Sequence, residues 1–306
     1  MDFVPPEPSS SLPGSLPLTG IPVAPPPWTL QTKQWYFVFN PGRPSSPHDP
    51  RFTPEGFPTG FFTPLENVHP SALSPVDNKS QFIGGPGLIA VVRYTEGPVG
   101  PYDELIFSPG KFKNPVTQEV SWRLTTLYVS TPASVWNGRR NWNIAKHLAR
   151  FEFEAVGSKG TIVRVFHPES CPAPLSSDKP FFSAFLTDSR LPAIPVHPAL
   201  VRPFVRFIQP PLLRGKYPES EPSPVIGTDD SENGRENPWL DFSPDYKGRW
   251  GLAYAGKLPE DKGGLGSYGD GVGAPDVQLW SLGAVFEGEL LFPVARVAQA
   301  KSDRTR

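Results

Sequence analysis

The chain has a single cysteine, Cys171, in 306 residues, so no disulfide can form within it and nothing points to an oxidising compartment. Cys171 sits in a proline turn, Ser170-Cys171-Pro172, and reads as an unreactive loop thiol. An excess of one charge is also missing. Lys plus Arg number 29 against 30 Asp plus Glu, a net charge of -1, which leaves no global field to attract nucleic acid or an anionic membrane. No apolar run approaches the roughly 18 residues that a membrane span needs, and no basic segment leads into an apolar one near residue 1. The expectation is therefore a cytoplasmic protein with no nucleic-acid and no membrane partner.

Several catalytic signatures are absent too. The five histidines show no ligand spacing such as H-x-H or H-x-x-x-H, so no metal site is expected. No G-x-S-x-G occurs to support a hydrolase of that type. Gly264-Leu265-Gly266-Ser267-Tyr268-Gly269 fits G-x-G-x-x-G, but no strand enters it and no helix leaves it, which a dinucleotide site requires.

What the chain has in excess is proline, 42 residues, against a typical usage of about 5%. Proline denies long helices and central-strand hydrogen bonds, so it maps where regular structure is not. Residues 1–27 read as an extended proline-rich arm, 41–80 as a long loop covering apolar surface, 214–248 as a polar loop or insertion, and 299–306 as a polar tail. One domain is expected over 28–298.

The proline-poor stretches read as strands. Gln34–Phe39 is dense in aromatic and β-branched residues and predicts a first strand closed by Asn40-Pro41-Gly42. Leu88–Tyr94 and Glu104–Phe107 predict a hairpin around Gly97-Pro98-Val99-Gly100-Pro101. Val120–Ser130 predicts a third strand, and Leu148–Val156 with Thr161–Phe166 a second hairpin. Pro180–Leu186, Val201–Ile208 and Val277–Val297 supply further apolar segments. Between them, Thr131-Pro132 offers a helix cap followed by proline at the first helical position, with Ala133–Arg140 as the helix. Many strands, few helices and no βαβ alternation predict a mostly antiparallel sheet, closed or strongly curved.

Gly138-Arg139-Arg140-Asn141-Trp142-Asn143-Ile144-Ala145-Lys146-His147-Leu148-Ala149 resembles the acetoacetate decarboxylase pattern of Gly-Arg-Glu, then aromatic, Gly, aromatic, Pro-Lys-Lys-Leu-Ala. Upstream, Gly100-Pro101-Tyr102-Asp103-Glu104 is similar to that family's Gly-Pro-Tyr-x-Glu segment. The likeness is concentrated between residues 85 and 167. Four positions depart from the pattern: Arg140 replaces an acidic residue, Asn143 a glycine, Ala145 a proline and His147 a second lysine.

The resemblance implies a mostly β, closed or cone-shaped antiparallel barrel with short helices. It makes Lys146 the Schiff-base lysine and Glu104 a pocket carboxylate. Arg139, His147, Tyr102 and Trp142 are the candidate substrate-binding residues, with no cofactor and no metal expected; the guanidinium fork of Arg139 suits a substrate carboxylate, though Arg139 and Arg140 read equally as solvated helix-end residues or ion-pair partners of Asp103 and Glu119. A small carbonyl compound is the expected partner, and self-association as a homo-oligomer is compatible with it. Decarboxylation of a keto acid is the first expectation; aldol, dehydration or cyclisation chemistry in the same pocket, or a non-catalytic barrel for an apolar ligand, are the alternatives.

A lysine amine, ordinarily near 10.4, attacks carbonyls only once that value is lowered by desolvation or a nearby cation; acetoacetate decarboxylase is the standard illustration. Trp142, Ile144, Ala145 and Leu148 offer Lys146 apolar surroundings. Strand alternation sends residues 146 and 147 to opposite faces, so desolvation rather than a second cation is expected to activate the amine. Alternation also puts Glu104 on one face with Ile106, and Leu105 with Phe107 on the other.

Overall fold

The structure, a computed structural model, describes residues 20–42, 45–46, 49–158, 160–171, 175–201, 205–216 and 238–300. Residues 1–19 of the arm, 217–237 of the polar loop and 301–306 of the tail lie outside the described residues.

In chain order the elements are β1 (Trp28–Phe39), α1 (Pro70–Leu73), β2 (Phe82–Gly84), β3 (Gly87–Glu96), β4 (Tyr102–Ser108), β5 (Lys111–Lys113) and β6 (Val120–Trp122). Next come β7 (Thr126–Val129), α2 (Pro132–Trp142), β8 (Lys146–Leu148), β9 (Arg150–Ala155), β10 (Thr161–Phe166), β11 (Phe182–Asp188), β12 (Ile194–Val196) and α3 (Pro198–Val201). The last are β13 (Phe207–Gln209), β14 (Leu240–Phe242), β15 (Asp245–Gly256), β16 (Leu282–Phe292) and β17 (Arg296–Val297).

One sheet runs β8-β7-β4-β3-β1-β16-β15-β11-β10-β9, with β12 also on β15. Its two ends, β8 and β9, are joined by Ala149 alone, so the sheet nearly closes on itself as a barrel. A second sheet, β17-β14-β13-β6-β5-β2, packs beside it. Pairing is antiparallel except at β7–β8 and β13–β6.

Alternation in the barrel strands feeds two cores, one on each face. From β3, Ala90 and Val92 enter one core while Ile89 and Val91 enter the other. From β4, Tyr102 belongs to the first core and Leu105 with Phe107 to the second. Long loop 49–69 covers the second core: Phe61 and Leu65 are buried there, and Phe61 stacks on Phe39 at 5.3 Å. Each fully buried Phe contributes about 1.5–3 kcal/mol relative to exposure.

Several expectations shift. The segment Val120–Ser130 is two strands in two sheets, parted at Arg123, whose guanidinium is buried against Gln81 Oε1 at 2.7 Å and the Ala72 carbonyl at 3.0 Å. Val201–Ile208 is the end of α3 and the start of β13 rather than one strand, with 202–204 outside the described residues. Residues 240–242 and 245–248, read as polar loop, belong to β14 and β15. The glycines in β15 mislead: Gly248 stands opposite Gly288, and a Cβ on it would meet the Glu287 carbonyl at 2.3 Å. Glycine there permits a close approach of two strands.

The arm is tied down earlier than residue 28. Asn137 of α2 accepts the Ala24 N–H at 2.8 Å and donates to the Pro22 carbonyl at 2.9 Å, and Asn141 donates to the Ala24 carbonyl.

Candidate active site

Helix α2 and strand β8 build the site. Thr131 caps α2 by accepting the Ser134 N–H, with Pro132 in the first turn. The helix ends at Asn143, whose left-handed backbone (φ 52°, ψ 36°) suits asparagine nearly as well as the glycine of the resembled pattern. Three residues later Lys146 opens β8, paired in register with Leu127 of β7. Ser134 and Gly138 lie one turn apart on the helix face that covers it. A Cβ at position 138 would stand 2.6 Å from Lys146 Cδ and 2.8 Å from Cε, so only glycine leaves room for the lysine stem.

Lys146 Nζ donates to Glu104 Oε2 at 2.8 Å and to Ser134 Oγ at 3.0 Å, and stands 5.2 Å from the centre of the Tyr102 ring. Both ion-pair partners are more than nine-tenths buried, Lys146 4% and Glu104 3% exposed. They line a cavity of about 260 Å³ whose walls are otherwise largely apolar, including Trp28, Leu30, Trp142, Ile144, Leu290 and Phe292. The cavity's polar rim is a set of tyrosines, Tyr36, Tyr94, Tyr102 and Tyr246, with Gln34. Burial and then the charge of Glu104 hold the Tyr94 and Tyr102 hydroxyls well above 10; Tyr36 is held there by burial, then by Tyr246 and last by Glu104. Burial also pushes Tyr246 up, to about 12. All four are protonated donors at neutral pH. The Tyr94 and Tyr102 rings pack at 4.5 Å, and Tyr102 in turn faces the Lys146 amine.

The structure thus brings Lys146, Glu104, Tyr102 and Trp142 together at one cavity. Arg139 and His147 are not there, which corrects their expected place at the substrate. His147 points away because it alternates with Lys146 along β8, and Arg139 is turned off the lysine face by one helical step from Gly138. Both meet Glu66 instead. Arg139 binds it through two hydrogen bonds, 2.6 and 3.1 Å, and donates to the Leu213 carbonyl at 2.8 Å; His147 Nε2 lies 2.8 Å from Glu66 Oε2. Burial alone would raise the Glu66 carboxyl, but the Arg139 charge and the His147 contact outweigh it and hold it at about 2. Burial pushes His147 below 6.5, against the pull of Glu66, so it is mainly neutral at pH 7. Arg140 packs over the Trp136 ring at 4.9 Å, and Asp103 and Glu119 pair with Arg93 and Arg206.

Ser134, Gly138, Gln34 and the tyrosines other than Tyr102 join the site without having been expected. Ser134 and Gly138 carry a readable signal, the i, i+4 spacing of small residues just before the lysine. Gln34 and Tyr36 lie in a segment whose aromatic density reads as core.

No family profile matches the chain, and no curated protein matches it in sequence. Solved structures do match in shape. Acetoacetate decarboxylase from Legionella pneumophila aligns with a TM-score of 0.51 at 11% identity, over 94% of this chain and 93% of that one. This chain carries the acetoacetate-decarboxylase-like fold, in divergent form. The enduracididine biosynthesis enzyme MppR complexed with pyruvate aligns over 94% and 96% of the two chains at 14% identity, TM-score 0.47. An acetoacetate decarboxylase-like enzyme from Sphingomonas wittichii aligns over 90% and 94% at 10% identity, TM-score 0.46. Among the described residues of this acetoacetate-decarboxylase-like barrel no helix is long and apolar enough to cross a membrane, and no group of three metal-ligating side chains occurs.

Proposed function

We propose that the chain is an enzyme of carbonyl chemistry, acting in the cytoplasm, in which Lys146 condenses with a substrate ketone or aldehyde. The observation that carries this is the Lys146 amine, held 2.8 Å from Glu104 Oε2 and 3.0 Å from Ser134 Oγ on the wall of a largely apolar cavity. Glu104 accepts the ammonium proton, and the neutral Nζ forms a bond to the carbonyl carbon. That proton and one of the two still on nitrogen pass to the carbonyl oxygen, which leaves as water, and a protonated carbon–nitrogen double bond remains beside the Glu104 carboxylate. The neighbouring Glu104 carboxylate, whose attraction is strengthened by the low local dielectric, stabilises the resulting iminium cation.

That cation is an electron sink for the adjacent carbon. With a β-keto acid, the bond to the carboxylate carbon breaks, carbon dioxide leaves, and its electron pair forms an enamine that takes up a proton and is hydrolysed. Decarboxylation is the reaction the resemblance favours. Aldol or dehydration chemistry, in which an adjacent C–H bond gives its proton to Glu104 and its electrons to the enamine, is favoured by a specific observation. Among the described residues, no cation besides Lys146 lines the cavity to hold a substrate carboxylate.

Borohydride trapping with a panel of ketones, aldehydes and keto acids tests the proposal by intact mass. The expected result is a gain equal to the carbonyl compound less one oxygen atom in wild type, water being lost on condensation and two hydrogens added on reduction, and none in Lys146→Ala. An adduct retained in the variant would place the nucleophile elsewhere; no adduct with any member of the panel would favour a ligand-binding barrel.

A further inference from the structure

The charges around Lys146 narrow the substrate. Among the described residues, the acidic and basic side chains lining the cavity, tyrosines aside, are Glu104 and Lys146. With the proton on nitrogen they are a cation and an anion; with the proton on oxygen they are both neutral. Either way they sum to zero, and the iminium beside the Glu104 carboxylate sums to zero as well. The surrounding tyrosines stay protonated. Arg139 is spent on Glu66 and the Leu213 carbonyl on the other side of β8. A substrate carboxylate would enter as an uncompensated charge in a buried apolar space, which is strongly unfavourable.

One polar side chain in the cavity has unused capacity. Gln34 is 1% exposed and lines the cavity, and its Oε1 accepts a hydrogen bond from the Tyr36 hydroxyl. Tyr36 is in turn 3.2 Å from the Tyr246 hydroxyl. Gln34 Nε2 has no hydrogen-bond partner among the described residues. A buried amide N–H in that state is destabilising until something accepts from it. It is a neutral donor, suited to a carbonyl, hydroxyl or ether oxygen.

We propose that the site takes an uncharged carbonyl compound with an apolar body, and that Gln34 Nε2 recognises a neutral oxygen on it. This rests on the Schiff-base reading of Lys146 and turns it toward aldol or dehydration chemistry and away from keto acids. A volume of about 260 Å³ falls just below the range of about 300–1,000 Å³ that drug-sized ligands occupy, so the body is small.

A matched pair of probes tests it: 4-phenyl-2-butanone and 4-phenyl-2-oxobutanoate, which differ only in a methyl or a carboxylate on the carbonyl carbon. Binding is read by tryptophan fluorescence, since Trp28, Trp122 and Trp142 line the cavity, and adducts by borohydride trapping. The ketone is expected to half-saturate the signal at a concentration at least about tenfold below the acid. Gln34→Leu is expected to weaken ketone binding by up to about tenfold. Equal or tighter binding of the acid, no fluorescence response to either probe, or a folded Gln34→Leu that binds the ketone as wild type does would each overturn the proposal. If Gln34→Leu does not fold, the wild-type comparison decides alone. Ketone binding without an adduct would sink the Schiff-base reading while leaving the substrate class standing.

Discussion

Lys146 and His147 are consecutive, yet each meets a different buried carboxylate on a different face of β8, Glu104 for the lysine and Glu66 for the histidine. Around Glu66 both oxygens are engaged by Arg139 and His147, and the free space beside it is only about 20 Å³. Around Glu104 the contacts are fewer and a cavity begins. A buried charge whose hydrogen bonds are saturated holds structure together; one left beside open volume is available to a ligand. The same three-residue strand therefore supplies an anchor on one side and a reactive group on the other.

The largest expected effect comes from breaking the anchor. Glu66→Ala leaves the Arg139 charge buried without its counter-charge, and a loss of about 3–5 kcal/mol in urea unfolding is predicted. A loss below about 1 kcal/mol would show that the cluster does not hold the loop to the barrel.

Acid should act on the same side. His147 is held below its ordinary 6.5 by burial, and burial pushes His167 down to about 4. The unfolded chain protonates both near 6.5 while the folded one resists. Their contribution is thus fully present above about pH 6.5 and is lost as the pH falls through the window toward 4. Glu66, at about 2, adds a second loss below its ordinary 4.5. Melting temperature should fall steadily from pH 7 to pH 5, and His147→Gln should flatten part of that slope; a slope unchanged in the variant would exclude His147 as a contributor.

On the cavity side the stability effects are smaller and the chemical ones larger. Lys146→Ala is predicted to cost about 1–2 kcal/mol, less than Glu66→Ala, because Glu104 borders open volume that water can enter to hydrogen-bond it. If the two variants were equally destabilised, the contrast between the faces would fail. Gly138→Ala should change stability by about 1 kcal/mol or less, helix preference for alanine offsetting the displaced lysine. Trapping at Lys146 should slow at least about tenfold in it, since the new methyl occupies the place of the lysine stem. Unchanged trapping would mean that the lysine reaches its substrate by another path. The smallest effect is reserved for deletion of residues 1–19, which should leave the melting temperature unmoved, because their composition carries no hydrophobic pattern to pack.

Much of the chemistry was legible because it is local. Thr131-Pro132 announces α2, and period-2 alternation puts Glu104 opposite Leu105 and Lys146 opposite His147. Two motifs 42 residues apart meet at 2.8 Å. Glu66 was not legible: it sits in an irregular proline-rich stretch without periodicity, and its partners are 73 and 81 residues away. Gln34 was hidden for the opposite reason, since a strand as aromatic as Trp28–Phe39 gives no sign of which side faces a cavity. Strand β15 was missed because its start fell in a stretch read as polar loop and Gly248 and Gly251 interrupt its side-chain pattern, whereas they admit a close neighbouring strand.

The most direct test of the division between the two faces is peptide mapping of the borohydride-trapped wild-type protein at one carbonyl equivalent. The account predicts a single label, on the peptide containing Lys146, blocked by Lys146→Ala and retained in His147→Gln. Label spread over exposed lysines such as Lys79 and Lys257, with Lys146 unmodified, would contradict it.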